Sequence, residues 1–225
     1  MTVLLGIDTA TSGCAVAVVR DAETLACQQA RMARGQSEAL MPMIDQVVAE
    51  AGISFPDIDA VAVTRGPGAF TGLRIGLATA RALALAIGKP CLGVGTFDAL
   101  LAEARDRSAR SEIDAFVVAV DSKREEVFVA IFDSGGVALG APAALLPQQV
   151  AGHLGSVSRV AVVGDSSGVV ADALESGFHV DRIAEIELPD PAIVARLAMG
   201  ALEDPERMPA APLYLRPPDV SLPKA

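Results

Sequence analysis

The 225-residue sequence holds no tryptophan, one tyrosine, three cysteines and two histidines. Each scarcity excludes something. Cys14, Cys27 and Cys91 are an odd number at spacings that fit neither a disulfide framework nor a zinc site. Each stands among apolar neighbours and reads as a buried free thiol of a reducing compartment. His153 and His179 lie far apart and do not form the i, i+4 pair with which one helix face holds a metal. GDSSG (residues 164–168) lacks the spacing of a nucleophile elbow. Basic residues are also few: 18 Lys and Arg stand against 28 Asp and Glu, leaving a net charge of −10. A chain that grips nucleic acid alone needs clustered cations to displace counterions from phosphates. The densest basic run, EARDRSAR (residues 103–110), carries its own acids and reads as a solvated helix face.

Long uncharged apolar runs are missing too. Mean hydropathy is +0.44, yet the longest apolar stretch, residues 75–97, is broken by Arg81 and Lys89. No membrane span is expected. The opening MTVLLGIDTAT has no basic segment ahead of its apolar residues, so no secretory signal is expected, and the location expected is cytoplasmic.

What is present is a pattern that repeats. VLLGID (3–8) reads as a buried strand, TATSG as a turn, CAVAVV (14–19) as a second strand and LACQQA as a third. Residues 37–51 have helical apolar spacing, DAVAVT (59–64) is a strand, and a glycine-rich segment leads into a helix ending near Ile87. CLGVG follows as a strand and residues 97–107 as a helix. The second half begins again with AFVVAVD (115–121), the turn SKRE, EVFVAIF (126–132) and RVAVVGD (159–165), with helices at SSGVVADALESG and 191–203. Asp8 and Asp121 fall at matching points. Two such units side by side predict a bilobal α/β protein. Its lobes would be 1–108 and 109–225, hinged near 107–114, with the last helix and tail packing back on the first lobe.

This duplicated plan resembles the actin, sugar-kinase and Hsp70-type (ribonuclease H-like) superfamily. There the turn after each first strand cradles phosphates with Asp, Gly, Thr and backbone N–H groups. IDTAT is a fair copy of the first turn, so Asp8, Thr9, Gly66 and Gly68 form a degenerate phosphate loop. VDSKREE (120–126) is a poor copy of the second, with Lys123 and Arg124 in the tight part, and GDSSG is a partial adenosine loop. Asp8 reads as a turn-capping carboxylate rather than a catalytic or metal-binding one.

RGPGAFTGLRIG (65–76) is neither a Walker A loop nor a dinucleotide fingerprint. Its small residues continue as Gly68, Gly72, Gly76, Ala80, Ala84 and Gly88, an unbroken i, i+4 ridge. Glycine inside a helix costs about 1 kcal/mol relative to alanine, so a close approach must compensate. We read that approach as a partner's helix; packing within this chain and an anion at the helix start stay open. On the partner reading, bulk at Gly72 or Gly76 would block association and spare the fold.

LLGIDTAT, GPGAFTGLRIG, VDSKREEVF and PLYLR (212–216) together resemble the TsaB (YeaZ) family nearly end to end. The chain departs from that family's habit at Gln36, at Ala69 and at Ser122–Lys123. The resemblance implies a non-catalytic subunit that pairs with the TsaD paralogue, which transfers threonylcarbamoyl to the tRNA adenosine beside the anticodon. It also implies the ATPase TsaE as a further partner and tRNA met only through the complex; an exposed apolar stripe would allow a homodimer when isolated, with a monomer the alternative. Pairing would use the first two helices, with Leu40, Met41, Ile44, Val48, Gly72, Gly76 and Ala80 at the contact. Neither a catalytic residue nor a metal is expected in this chain, which alone would bind no cofactor; ATP or ADP would sit at the heterodimer junction. The alternatives are an independent kinase-like phosphotransferase, which would need intact second-lobe loops, and a protease, which would need the missing nucleophile or zinc ligands.

Overall fold

A strand buried on both faces needs cover on both sides. In the computed structural model, which describes residues 1–107 and 113–216, β1 (Val3–Asp8) is such a strand, with all six residues buried. It pairs antiparallel with β2 (Gly13–Arg20), which pairs with β3 (Glu23–Arg31), and parallel with β4 (Ala60–Thr64), which pairs with β5 (Cys91–Val94). The sheet order is β3-β2-β1-β4-β5. Its helices are α1 (Gln36–Glu50), α2 (Phe70–Ile87) and α3 (Thr96–Arg107).

The second half repeats the plan. β6 (Ala115–Asp121), β7 (Val127–Asp133), β8 (Ala143–Leu145), β9 (Arg159–Val163) and β10 (His179–Arg182) form a sheet ordered β10-β9-β6-β7-β8. Read from the other edge, that is the first sheet's topology. A 3-10 segment, Pro147–His153, stands in place of the first helix, followed by α4 (Ser167–Leu174) and α5 (Pro191–Met199). Asp190 caps α5 by accepting the Ala192 N–H at 2.8 Å, with Pro191 at the first helical position.

The two units exchange helices. α3 follows the first sheet, yet Phe97, Leu100, Leu101 and Ala104 complete the core against Phe116, Val118 and Phe132 of the second. α5 follows the second sheet and lays Ala192, Val194, Ala195 and Ala198 on Leu4, Ala17 and Ala60 of the first. The expected lobe boundary at 108/109 and the middle of the expected hinge lie outside the described residues.

α1 and α2 cover the other face of the first sheet. Leu40, Ile44 and Val48 are buried there, as are Leu77, Ala80 and Ala84. Gly72 and Gly76 are buried as well. A Cβ on Gly72 would overlap the Thr9 carbonyl oxygen, and one on Gly76 would overlap the Thr9 hydroxyl. The expected placement of Leu40, Ile44, Val48, Gly72, Gly76 and Ala80 at a partner's surface is therefore corrected: these residues face inward. Of the seven, Met41 alone is exposed, at 42%. The reason is general. A helix over an apolar sheet commits its periodic apolar stripe to that sheet, and the glycine ridge marks where α2 meets the β1–β2 turn.

By length and composition α2 is apolar enough to cross a membrane. Here it carries Arg74 and Arg81 outward and packs its small-residue face on the sheet. Overlap with a backbone carbonyl cannot be relieved by a rotamer change, so Gly72→Ala should cost at least about 1–3 kcal/mol, the usual range for overpacking. Ala82→Leu, on the exposed face, should stay within about 0.5 kcal/mol. Urea denaturation of the isolated chain measures both.

Candidate functional site

The first strands of the two sheets end in turns, residues 9–12 and 122–126, that face each other across the junction of the lobes. The first turn is closed by internal bonds. Asp8 is fully buried; its carboxylate accepts from the Thr64 hydroxyl at 2.6 Å and the Ala10 N–H at 3.1 Å, with the Thr11 hydroxyl at 3.4 Å. The Thr9 hydroxyl donates to the Gly72 carbonyl at 2.7 Å, and the Ala69 N–H to the Ala10 carbonyl at 2.7 Å. A Cβ on Gly68 would overlap that same Ala10 carbonyl, and one on Gly66 would press on the Leu213 carbonyl. The close backbone approach that these glycines permit is taken up by the chain's own segments. Burial pushes the Asp8 carboxyl up to about 6, against the pull of its hydroxyl and amide donors, and the charge of Asp165 adds to the rise.

The second turn holds a lysine where a phosphate cradle would need open backbone. Lys123 has φ 60°. Asp121 accepts its N–H at 2.6 Å and its Nζ at 2.7 Å. The same Nζ reaches the Ser12 hydroxyl in the first turn at 3.0 Å. Behind it, Asp165 accepts the Asp121 N–H at 2.7 Å, and burial raises its carboxyl to about 6 as well. The GDSSG loop turns at Gly164, whose N–H donates to Ile186 at 2.8 Å, and leads into α4.

Beside the turns lies a cleft of about 1120 Å³, floored by the N-terminal ends of α1 and α2 and by residues 122–124 and 213–216. Arg34, Arg74, Arg124 and Arg216 line it with Phe70 and Tyr214. The Arg74 guanidinium sits 3.7 Å over the Phe70 ring, and its Nε donates to the Tyr214 hydroxyl at 3.3 Å. Phe70 and Tyr214 pack with ring centroids 5.3 Å apart. Tyr214 thus anchors its segment, as its place in PLYLR suggests. The Phe70–Arg74 half of the cluster went unread, although its i, i+4 spacing is a visible signal.

The remaining candidates lie elsewhere. His153 and His179 are exposed and apart, and no group of three potential metal ligands occurs among the described residues. Cys14 is buried and Cys91 half-buried, but Cys27 is exposed, contrary to expectation, because it lies on the outward-alternating edge strand β3. Burial raises the Cys14 and Cys91 thiols to about 11, which keeps them protonated at neutral pH.

Two β-β-β units with facing first turns and exchanged helices define the bilobal class of actin, sugar kinases and Hsp70-type ATPases. A glucomannokinase of Arthrobacter superposes with a TM-score of 0.51 over 90% of this chain and all of its own, at 17% identity, a likeness of fold alone. Sequence narrows the class. The family model described as TsaD, tRNA N6-adenosine threonylcarbamoyltransferase, matches residues 12–189. The tRNA threonylcarbamoyladenosine biosynthesis protein TsaB of Escherichia coli is 32% identical over 95% of this chain and 94% of its own. The structure of YeaZ from Pseudomonas aeruginosa superposes with a TM-score of 0.80 at 28% identity, covering 96% of this chain and all of that one. The chain belongs to the TsaB (YeaZ) family. It spans 46% of a longer uncharacterized protein of Mycobacterium leprae, to which it is 36% identical over 73% of this chain.

A carboxyl group whose folded pKa lies above its unfolded value stabilises the fold fully below the unfolded value and loses that contribution as pH rises through the folded one. For Asp8 the window runs from 3.8 to about 6. The parent should therefore lose stability across it, and Asp8→Asn, with no proton to lose, should lose less. The difference is capped at about 3 kcal/mol by a displacement of about two pH units. Urea midpoints at about pH 4.5 and about pH 7.5 check the prediction.

Proposed function

We propose that this chain is a non-catalytic scaffold subunit that pairs with a TsaD-type paralogue so that the pair can make threonylcarbamoyladenosine in tRNA. The near end-to-end match to TsaB of Escherichia coli, described as a tRNA threonylcarbamoyladenosine biosynthesis protein, carries the reading. The geometry of the turns supports it: Lys123 and the α2 contacts fill the places where this architecture would hold a nucleotide's phosphates.

The partner meets the outward faces of α1 and α2. On α2, Leu85 is 83% exposed and Phe70 45%, and on α1 Met41 is exposed as well. Apolar residues left uncovered on adjacent helices fit an interface. Leu40, Ile44, Val48, Gly72, Gly76 and Ala80 hold those helices from beneath. The same face would serve a homodimer when no paralogue is present. A TsaE-type ATPase joins the pair, and ATP or ADP binds at the junction, where Arg34 and Arg74 offer charge beside Phe70. With net charge −10, the chain meets tRNA only within the complex, in the cytoplasm.

Leu85→Asp should weaken association with the paralogue by at least about tenfold, the worth of a modest interface anchor. Thermal stability of the isolated chain should stay unchanged, and tRNA modification in a reconstituted mixture should fall with the affinity. Normal assembly by this variant would move the contact elsewhere. The isolated chain should neither modify tRNA nor turn over ATP; a rate of about 1 per second, ordinary for a slow enzyme, would replace the scaffold reading with a phosphotransferase.

A further inference from the structure

The turn between β6 and β7 is tied to the first lobe at both of its ends. On the inner side, Lys123 Nζ donates to Ser12 Oγ at 3.0 Å while Asp121 holds the same ammonium at 2.7 Å. On the outer side, Glu126 accepts from the Arg216 guanidinium at 2.8 Å. The segment carrying Arg216 is fixed to the first lobe. Its Leu213 N–H donates to the Arg65 carbonyl at 2.7 Å, and Tyr214 rests on Phe70 and Arg74 of α2. Lys123 adopts the left-handed backbone conformation at φ 60°, which side chains other than glycine, Asn and Asp seldom visit. Its N–H bond to Asp121 at 2.6 Å holds it there.

We propose that this turn is a two-sided clamp by which the chain holds its own two lobes together across their junction. An ammonium on Ser12 takes the inner place and the 213–216 strap the outer one. The clamp belongs to the isolated chain and does not depend on the function proposed above.

The inner tie is an exposed hydrogen bond and the outer one a part-exposed ion pair, each weak alone. Together they constrain one short turn, so loss of the first leaves the second to hold it, and loss of both frees it. The clamp therefore predicts a non-additive response.

The test is amide hydrogen exchange on the isolated chain, read at residues 9–13, 122–126 and 213, with β4 and β9 as internal references. Ser12→Ala and Arg216→Gln leave the Asp121–Lys123 pair and the cores untouched. Each alone should speed exchange at the turns by less than about threefold, and the double variant by about tenfold or more, with the references unchanged. A double variant that exchanges like the parent at the turns overturns the clamp. If the references also accelerate, the fold itself has loosened, and the Ser12→Ala variant decides. Raising salt from about 0.05 M to about 1 M screens its remaining tie, the Arg216–Glu126 pair, and should speed exchange at the turns alone. Indifference to salt overturns the proposal.

Discussion

The backbone of α2 lies directly on the β1–β2 turn, with Gly72 and Gly76 against Thr9 and Gly68 against Ala10. Two hydrogen bonds cross that contact, from the Thr9 hydroxyl to Gly72 and from Ala69 to Ala10. No side chain fits between the two backbones, so the sequence must keep glycine there and accept its helix cost. The same contact sets the rotation of α2 about its axis. Once the ridge of Gly72, Gly76, Ala80 and Ala84 faces the sheet, Phe70, Arg74 and Leu85 must face away. The exposed aromatic-cationic cluster and the apolar outer face follow from a packing constraint on the inner one.

That constraint also changes what the buried carboxylates do. In the superfamily this chain resembles, an aspartate at the end of the first strand helps to hold a metal and phosphates. Asp8 keeps the position but spends its oxygens on Thr64 and Ala10 inside the turn. Asp165 holds the second turn through the Asp121 N–H. Burial raises both carboxyls to about 6, and the Lys123 ammonium lies between the turns. The polar groups of the two turns are organised to order their own loops.

The duplicated topology was legible because buried strands advertise themselves as apolar runs, and VLLGID and AFVVAVD each end in aspartate at equivalent points. The helix over 70–87 was legible for the same reason of spacing. The sidedness of α2 was not. Gly72 and Leu73, or Gly76 and Leu77, are about 100° apart around a helix, so the glycine ridge and the leucine ridge border one broad buried face rather than opposing ones. Interface and core residues both present small apolar side chains at helical spacing, and only the register of the turn beneath α2 separates them. The strap was half legible: PLYLR marks an anchored segment, but nothing local to it shows that Arg216 meets Glu126, 90 positions earlier in the chain.

The exchange of α3 and α5 between the sheets ties the two lobes into one body. Each lobe's core is completed by a helix that the other lobe's strands precede. Separating the lobes would strip apolar cover from both sheets, at about 25 cal/mol for each Å² exposed. The Lys123–Ser12 and Arg216–Glu126 ties span the gap between the turns and add little to stability beside that apolar cover. The α2 helix and the β6–β7 turn are thereby held in register by the same few side chains.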